Sequence, residues 1–90
     1  MKPCHYNDFK VGKTYDTLRK RSFERHLYSQ TKRVREYVSG DCYPEDNFMV
    51  LELKEINNLR WTKILTSQGM VGWILWLEAL DQDPAFVELP

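Results

Sequence analysis

Two stretches rich in apolar and β-branched side chains, residues 60–66 ("RWTKILT") and 70–76 ("MVGWILW"), are separated by the polar connection "SQG". Short apolar runs bounded by turn residues read as strands, and a short Gly-containing connection between two of them marks a hairpin. With the turn at 67–69, the predicted antiparallel pairs are Thr66/Met70, Leu65/Val71, Ile64/Gly72, Lys63/Trp73, Thr62/Ile74 and Trp61/Leu75. One face then carries Thr62, Ile64, Thr66, Met70, Gly72 and Ile74. The other carries Trp61, Lys63, Leu65, Val71, Trp73 and Leu75, which makes Trp61 and Trp73 diagonal neighbours. Both faces hold apolar residues, so one is expected on the core and the other partly covered or used for contact, with Trp61 or Trp73 partly exposed.

The remaining pattern is similar but weaker. "NFMVLEL" (47–53) reads as a strand between the turn chemistry of "PEDN" (44–47) and "NN" (57–58). Residues 9–18 and 31–38 are further strand candidates. Phe23, Leu27, Val34 and Val38 recur at helix-like intervals, which leaves a helical turn around 22–29 open. Short strands with regular turns predict an all-β barrel or sandwich over residues 9–80, preceded by an extension (1–8) and followed by a tail leaving the domain (81–90).

Ninety residues make one small domain, and 42% hydrophobic with 13% aromatic residues suffices for a core. "MKPCHYNDFKVGK" lacks the apolar region of a secretory signal, and no apolar run is long enough to span a bilayer. The expectation is a cytoplasmic chain with no membrane partner. Cys4 and Cys42 are then expected as thiols. With His5 and His26 they do not fall into metal-ligand spacing, so no metal and no cofactor is expected.

The formal net charge is zero, yet it is unevenly spread. Residues 1–38 hold ten Lys/Arg against four Asp/Glu, a balance of +6, and residues 39–90 hold three against nine, a balance of −6. Such asymmetry points to a polarised surface, unless the two halves neutralise each other across the fold. The basic excess concentrates in "RKRSFERHLYSQTKRVR" (19–35), with seven Lys/Arg and one Glu.

The hairpin resembles the closing strands of the SH3-like barrel family, which commonly read W-x-K-V, a turn, then G-x-x-G-W-I/V. Trp61-Thr62-Lys63-Ile64 and Gly69-Met70-Val71-Gly72-Trp73-Ile74 follow that pattern. Gly40-Asp41 and Tyr15-Asp16 resemble the family's Gly-Asp before its central strand and the Tyr-Asp of its first. The resemblance implies a small SH3-like barrel of about five strands with a long basic loop after the first strand. It also implies a 3₁₀ turn near 77–80, Ile64 and Ile74 inward, and Trp61 and Trp73 at an outer groove. The chain departs from the proline-peptide-binding members. Leu75 and Glu78 stand where those have Pro and Tyr, Thr17 replaces a second aromatic, and the usually acidic loop is basic. Like charges would face an Arg-anchored proline-rich peptide, which makes that ligand unsuitable.

No Ser or Cys sits in a recognisable nucleophile motif, and no Gly-rich phosphate loop is present, so the chain is not expected to be an enzyme. The expectation is a non-catalytic binding module that recognises an acidic protein surface. The residues assigned to it are Arg19, Lys20, Arg21, Arg25, Tyr28, Lys32, Arg33 and Arg35 with Trp61, Lys63 and Trp73, since Arg beside exposed aromatics is the composition of interface hot spots. One alternative is nucleic acid held by the same cations and aromatics, although a pI near 6.7 is low for a dedicated binder. Another is a structural subunit of a larger assembly, using Leu65, Val71 and Leu75 as a buried interface. Beginning at its own Met, the chain reads as a free-standing module similar to the small accessory proteins of tailed phages.

Overall fold

A computed structural model of the protein describes residues 3–5, 8–17, 25–42, 47–76 and 86–90. Eight strands occur in it: β1 (Pro3–Cys4), β2 (Thr14–Thr17), β3 (Arg25–Tyr28), β4 (Val38–Cys42), β5 (Phe48–Ile56), β6 (Leu59–Thr66), β7 (Val71–Trp76) and β8 (Phe86–Glu88). A 3₁₀ turn at Arg35–Tyr37 leads into β4. All pairings are antiparallel, in the order β1-β8-β2-β5-β6-β7-β3-β4. β1 and β4 terminate the sheet without pairing to each other. The fold is therefore all-β as the short strands and regular turns predict, but the described residues form eight strands rather than five and the barrel does not close.

The hairpin register is the one read from the turn, from Leu65↔Val71 to Trp61↔Leu75, and Arg60↔Trp76 extends it. At the turn, Thr66 N donates to Met70 O (2.8 Å) and Gly69 N to Thr66 O (3.0 Å). Gly69 has φ +86°, the left-handed conformation for which glycine carries no Cβ penalty. Asn57 (φ 51°) and Asn58 (φ 64°) close the β5–β6 hairpin, as a turn with two left-handed positions requires.

The segments read as an extension and a tail each contribute a strand to the sheet, Pro3–Cys4 and Phe86–Glu88. Phe86–Glu88 do not leave the domain. They pair with β2 (Thr17↔Phe86, Asp16↔Val87) and with β1 (Pro3↔Val87), and Phe86 and Val87 are buried. Three residues are too short for a period to show, which is why only the fold reveals the strand. Most of residues 31–38 form a turn and the 3₁₀ segment rather than a strand. Of residues 22–29, 25–29 are described and Arg25–Tyr28 form strand β3, so tertiary pairing overrides the helix-like spacing there. The 3₁₀ turn expected near 77–80 lies outside the described residues.

The inner face of the sheet holds one core: Phe9, Tyr15, Leu27, Phe48, Val50, Ile64, Ile74 and Phe86, with Cys4 at its margin. Phe9 stacks among Tyr15 (ring centroids 4.5 Å), Phe86 (5.1 Å) and Phe48 (5.7 Å), a contact set that exceeds simple area burial in worth. The Tyr15 hydroxyl, buried with its ring, accepts a hydrogen bond from Lys10 N at 2.8 Å.

Leu27 enters this core from β3 because β7 carries no side chain opposite it. A Cβ on Gly72 would lie 2.9 Å from Leu27 Cβ and 3.4 Å from Tyr28 O. On the other side, a Cβ on Gly40 would collide with Met70 Cε. Gly72→Ala is expected to force β3 away from β7 and to lower stability by about 1–3 kcal/mol, the range for overpacking a filled core, measured by urea denaturation.

Candidate functional site

The outer face of β5–β6–β7–β3 is built by register. Lys63 pairs with Trp73, and Trp73 pairs in turn with Tyr28 of β3. One step along, Lys54 pairs with Trp61, and Trp61 with Leu75. The bulge between Val50 and Glu52 sets this arrangement. Unbroken alternation from Phe48 and Val50 would turn Glu52 and Lys54 inward. The extra residue instead sends Lys54 and Ile56 to the tryptophan side and Leu53 to the inner side.

Trp61, Trp73 and Leu75 consequently form a second small core with Tyr28, Ile56 and Leu59 packed against it. The Tyr28 ring meets Trp61 edge-on, with centroids 5.6 Å apart at 84°. The ammonium groups of Lys54 and Lys63 lie 5.6 and 5.9 Å from the Trp73 centroid, within cation–π range. Trp61 is 2% exposed and Trp73 8%. This overturns the expectation of a partly exposed indole. Face sorting correctly places both rings outward, but β3 and the far half of β5 cover them. Lys54 is the contributor that sequence reading misses. Its signal, a cation opposite Trp61, exists only once the bulge is known.

Among the other assigned residues, Arg19, Lys20 and Arg21 lie outside the described residues. Arg25 opens β3, opposite Cys42. Lys32, Arg33 and Arg35 are exposed at the tip of the β3–β4 hairpin, just beyond Tyr28. Lys32 Nζ sits 5.9 Å from the centroid of Tyr37, and among the described residues none of the three cations has a carboxylate partner. Backbone hydrogen bonds shape the tip: Ser29 N to Tyr37 O (2.7 Å), Val34 N to Lys32 O (2.8 Å) and Tyr37 N to Val34 O (3.0 Å). The cations and the tryptophan face therefore adjoin through Tyr28; the cations are exposed, whereas both indoles are buried.

Among the described residues, chemically reactive groups do not converge here. His26 Nδ1 donates to Asp41 Oδ1 at 2.8 Å across β3–β4, with the imidazole ring edge-on to Tyr28 (6.2 Å). Cys4 is a buried free thiol whose pKa is pushed up by burial first and then by Asp8 and Glu88, the opposite of an activated nucleophile. Among the described residues no group of three or more His, Cys, Asp or Glu is placed to hold a metal ion, and no helix is long and apolar enough to cross a membrane. Compared with known proteins, the chain matches no family model, no curated protein and no solved structure.

In a Trp76→Phe background, tryptophan emission from the remaining indoles should be blue-shifted and resist iodide quenching. Trp61→Ala should cost about 3–5 kcal/mol, the range for truncating a buried aromatic, and Lys54→Ala no more than about 1 kcal/mol. Strong iodide quenching in the native state would contradict the covered face.

Proposed function

We propose that the protein is a non-catalytic, cytoplasmic binding module with an open SH3-like barrel, and that it docks an acidic protein surface on the tip of the β3–β4 hairpin. The observation that carries this reading is the display of Lys32, Arg33 and Arg35 at one hairpin tip, exposed and without carboxylate partners among the described residues. Cations held this way attract an opposite charge at long range and speed encounter. Ile64 and Ile74 on the core side of the hairpin support the barrel family's pattern.

Protein is favoured over nucleic acid by the state of the aromatics. Binding unpaired bases requires open ring faces for stacking. Trp61 and Trp73 are enclosed, and the Tyr37 ring is approached by Lys32. Among the described residues the cations at the tip therefore have no open indole beside them, which suits a carboxylate-rich surface.

A second reading, a subunit of a larger assembly, is favoured by one row of the outer face. Met49, Leu65 and Val71 align directly across β5, β6 and β7, at the opposite end of the face from the tryptophans. Met49 is 37% and Val71 50% exposed, while Leu75, expected in this interface, is instead buried against Trp61 and Trp73.

Replacing Lys32, Arg33 and Arg35 together by Glu should abolish retention of acidic proteins on the immobilised chain. Wild-type retention should fade as salt rises to about 1 M, where the Debye length is about 3 Å. Identical proteins held by wild type and variant would end the lead reading. Enhanced tryptophan or tyrosine emission changes with single-stranded oligonucleotides would favour the nucleic-acid alternative.

The assembly reading predicts a light-scattering mass above that of one chain, restored to one chain by Val71→Glu. A monomer at all concentrations removes it.

A further inference from the structure

The inner face of the β5–β6 ribbon runs past the core, and where it emerges it forms an open cleft of ≈ 220 Å³. Its lining comes from Phe9 and from cross-strand neighbours: Leu53 opposite Thr62, Glu55 opposite Arg60, with the Lys54–Trp61 pair between them. Phe9 is buried in the core, so the cleft has a rigid aromatic wall. Leu53 is 43% exposed, a large aliphatic side chain standing at the mouth with its surface unused.

The charges at this cleft differ from those of the hairpin tip. Glu55 and Arg60 face each other in register, both exposed, yet among the described residues they form no ion pair with each other. Lys54 has its ammonium over Trp73, on the opposite face of the sheet, which leaves Arg60 as the cleft's cation. The site thus presents an apolar wall flanked by one separated guanidinium and one separated carboxylate. A guanidinium takes a carboxylate through two parallel hydrogen bonds, and a carboxylate takes an ammonium. The volume lies below the range of about 300–1,000 Å³ typical of drug-sized ligands, and above the roughly 150 Å³ that admits a benzene ring.

The geometry points to a binding site for a free apolar α-amino acid: its carboxylate on Arg60, its ammonium on Glu55, and its side chain against Leu53 and Phe9. A simple carboxylate would leave Glu55 opposed to like charge, and an amine alone would leave Arg60 so opposed. A zwitterion with an apolar side chain satisfies both groups and covers Leu53. The site does not depend on the docking of an acidic partner at the β3–β4 tip, since it shares no residue with it.

The test is a two-dimensional amide NMR titration of the full chain with L-leucine, N-acetyl-L-leucine, L-leucinamide and glycine. L-leucine should give saturable shifts at Leu53, Glu55, Arg60 and Thr62, with Kd on the order of 1 mM for so open a site. Glycine and both derivatives should bind about tenfold more weakly or worse, as each lacks one of the three contacts. Arg60→Glu and Glu55→Lys should also weaken L-leucine about tenfold. Both positions are exposed, so the rest of each variant's spectrum should stay native. Absence of saturable shifts with L-leucine overturns the proposal. So does equal binding by either derivative, or binding that the two folded variants leave unchanged.

Discussion

The seating of Leu27 beside Gly72 is the contact on which the rest of this fold depends. β3 has no long hydrogen-bonded ladder to β7; the register there is the single pair Tyr28↔Trp73. What holds the segment is burial of Leu27, fully enclosed among core residues, and burying a Leu side chain is worth roughly 1.5–3 kcal/mol. That burial requires close approach of two backbones, and Gly72 permits it by presenting no side chain. Once Leu27 is in, its neighbour Tyr28 must point the other way, onto Trp61. The same step carries the hairpin tip to the border of the outer face. Ser39 reinforces the arrangement by donating from its hydroxyl to Leu27 O (3.2 Å).

A second constraint, one residue in size, divides the two faces of the ribbon. Because of the bulge after Val50, Leu53 and Glu55 fall on the inner side and Lys54 and Ile56 on the outer. The outer side thereby gains the cover that encloses both indoles. The inner side gains the apolar and acidic halves of the cleft. Reversal of that parity would place Lys54 beside Phe9 and leave Trp61 without Ile56 packed against it. A single insertion thus converts a would-be aromatic platform into structure and opens a different surface.

The hairpin was legible because the turn, once set, fixes every cross-strand partner, and Gly69 fixes the turn. The direction in which Trp61 and Trp73 point followed from the same argument. Their enclosure did not, since coverage depends on β3 and on the bulge in β5, and neither has a local signal. Strand β3 ("RHLY") and strand β8 ("FVE") are too short and too mixed in polarity for a period to emerge. They exist because partners with free edges lie beside them. Of the basic segment, the cations at 32, 33 and 35 are where an exposed loop would put them, but the hairpin that presents them is again a product of Leu27.

Charge at the tip has to be weighed against the chain's overall neutrality. A neutral protein with acidic residues in excess after position 38 could quench its own cations. Among the described residues of the hairpin this does not happen: Asp41 accepts from His26, toward the far end of β4. Glu36 alternates with the cations but pairs with none of them among the described residues. The tip is also held in shape by three backbone hydrogen bonds. A preordered loop loses less conformational freedom on docking than a flexible one, so more of each new contact survives as affinity. Screening by salt acts on the cations and leaves those backbone bonds intact. Salt sensitivity of binding and salt insensitivity of the fold are therefore separable properties of the same hairpin tip only if the anchor at Leu27 stays in place.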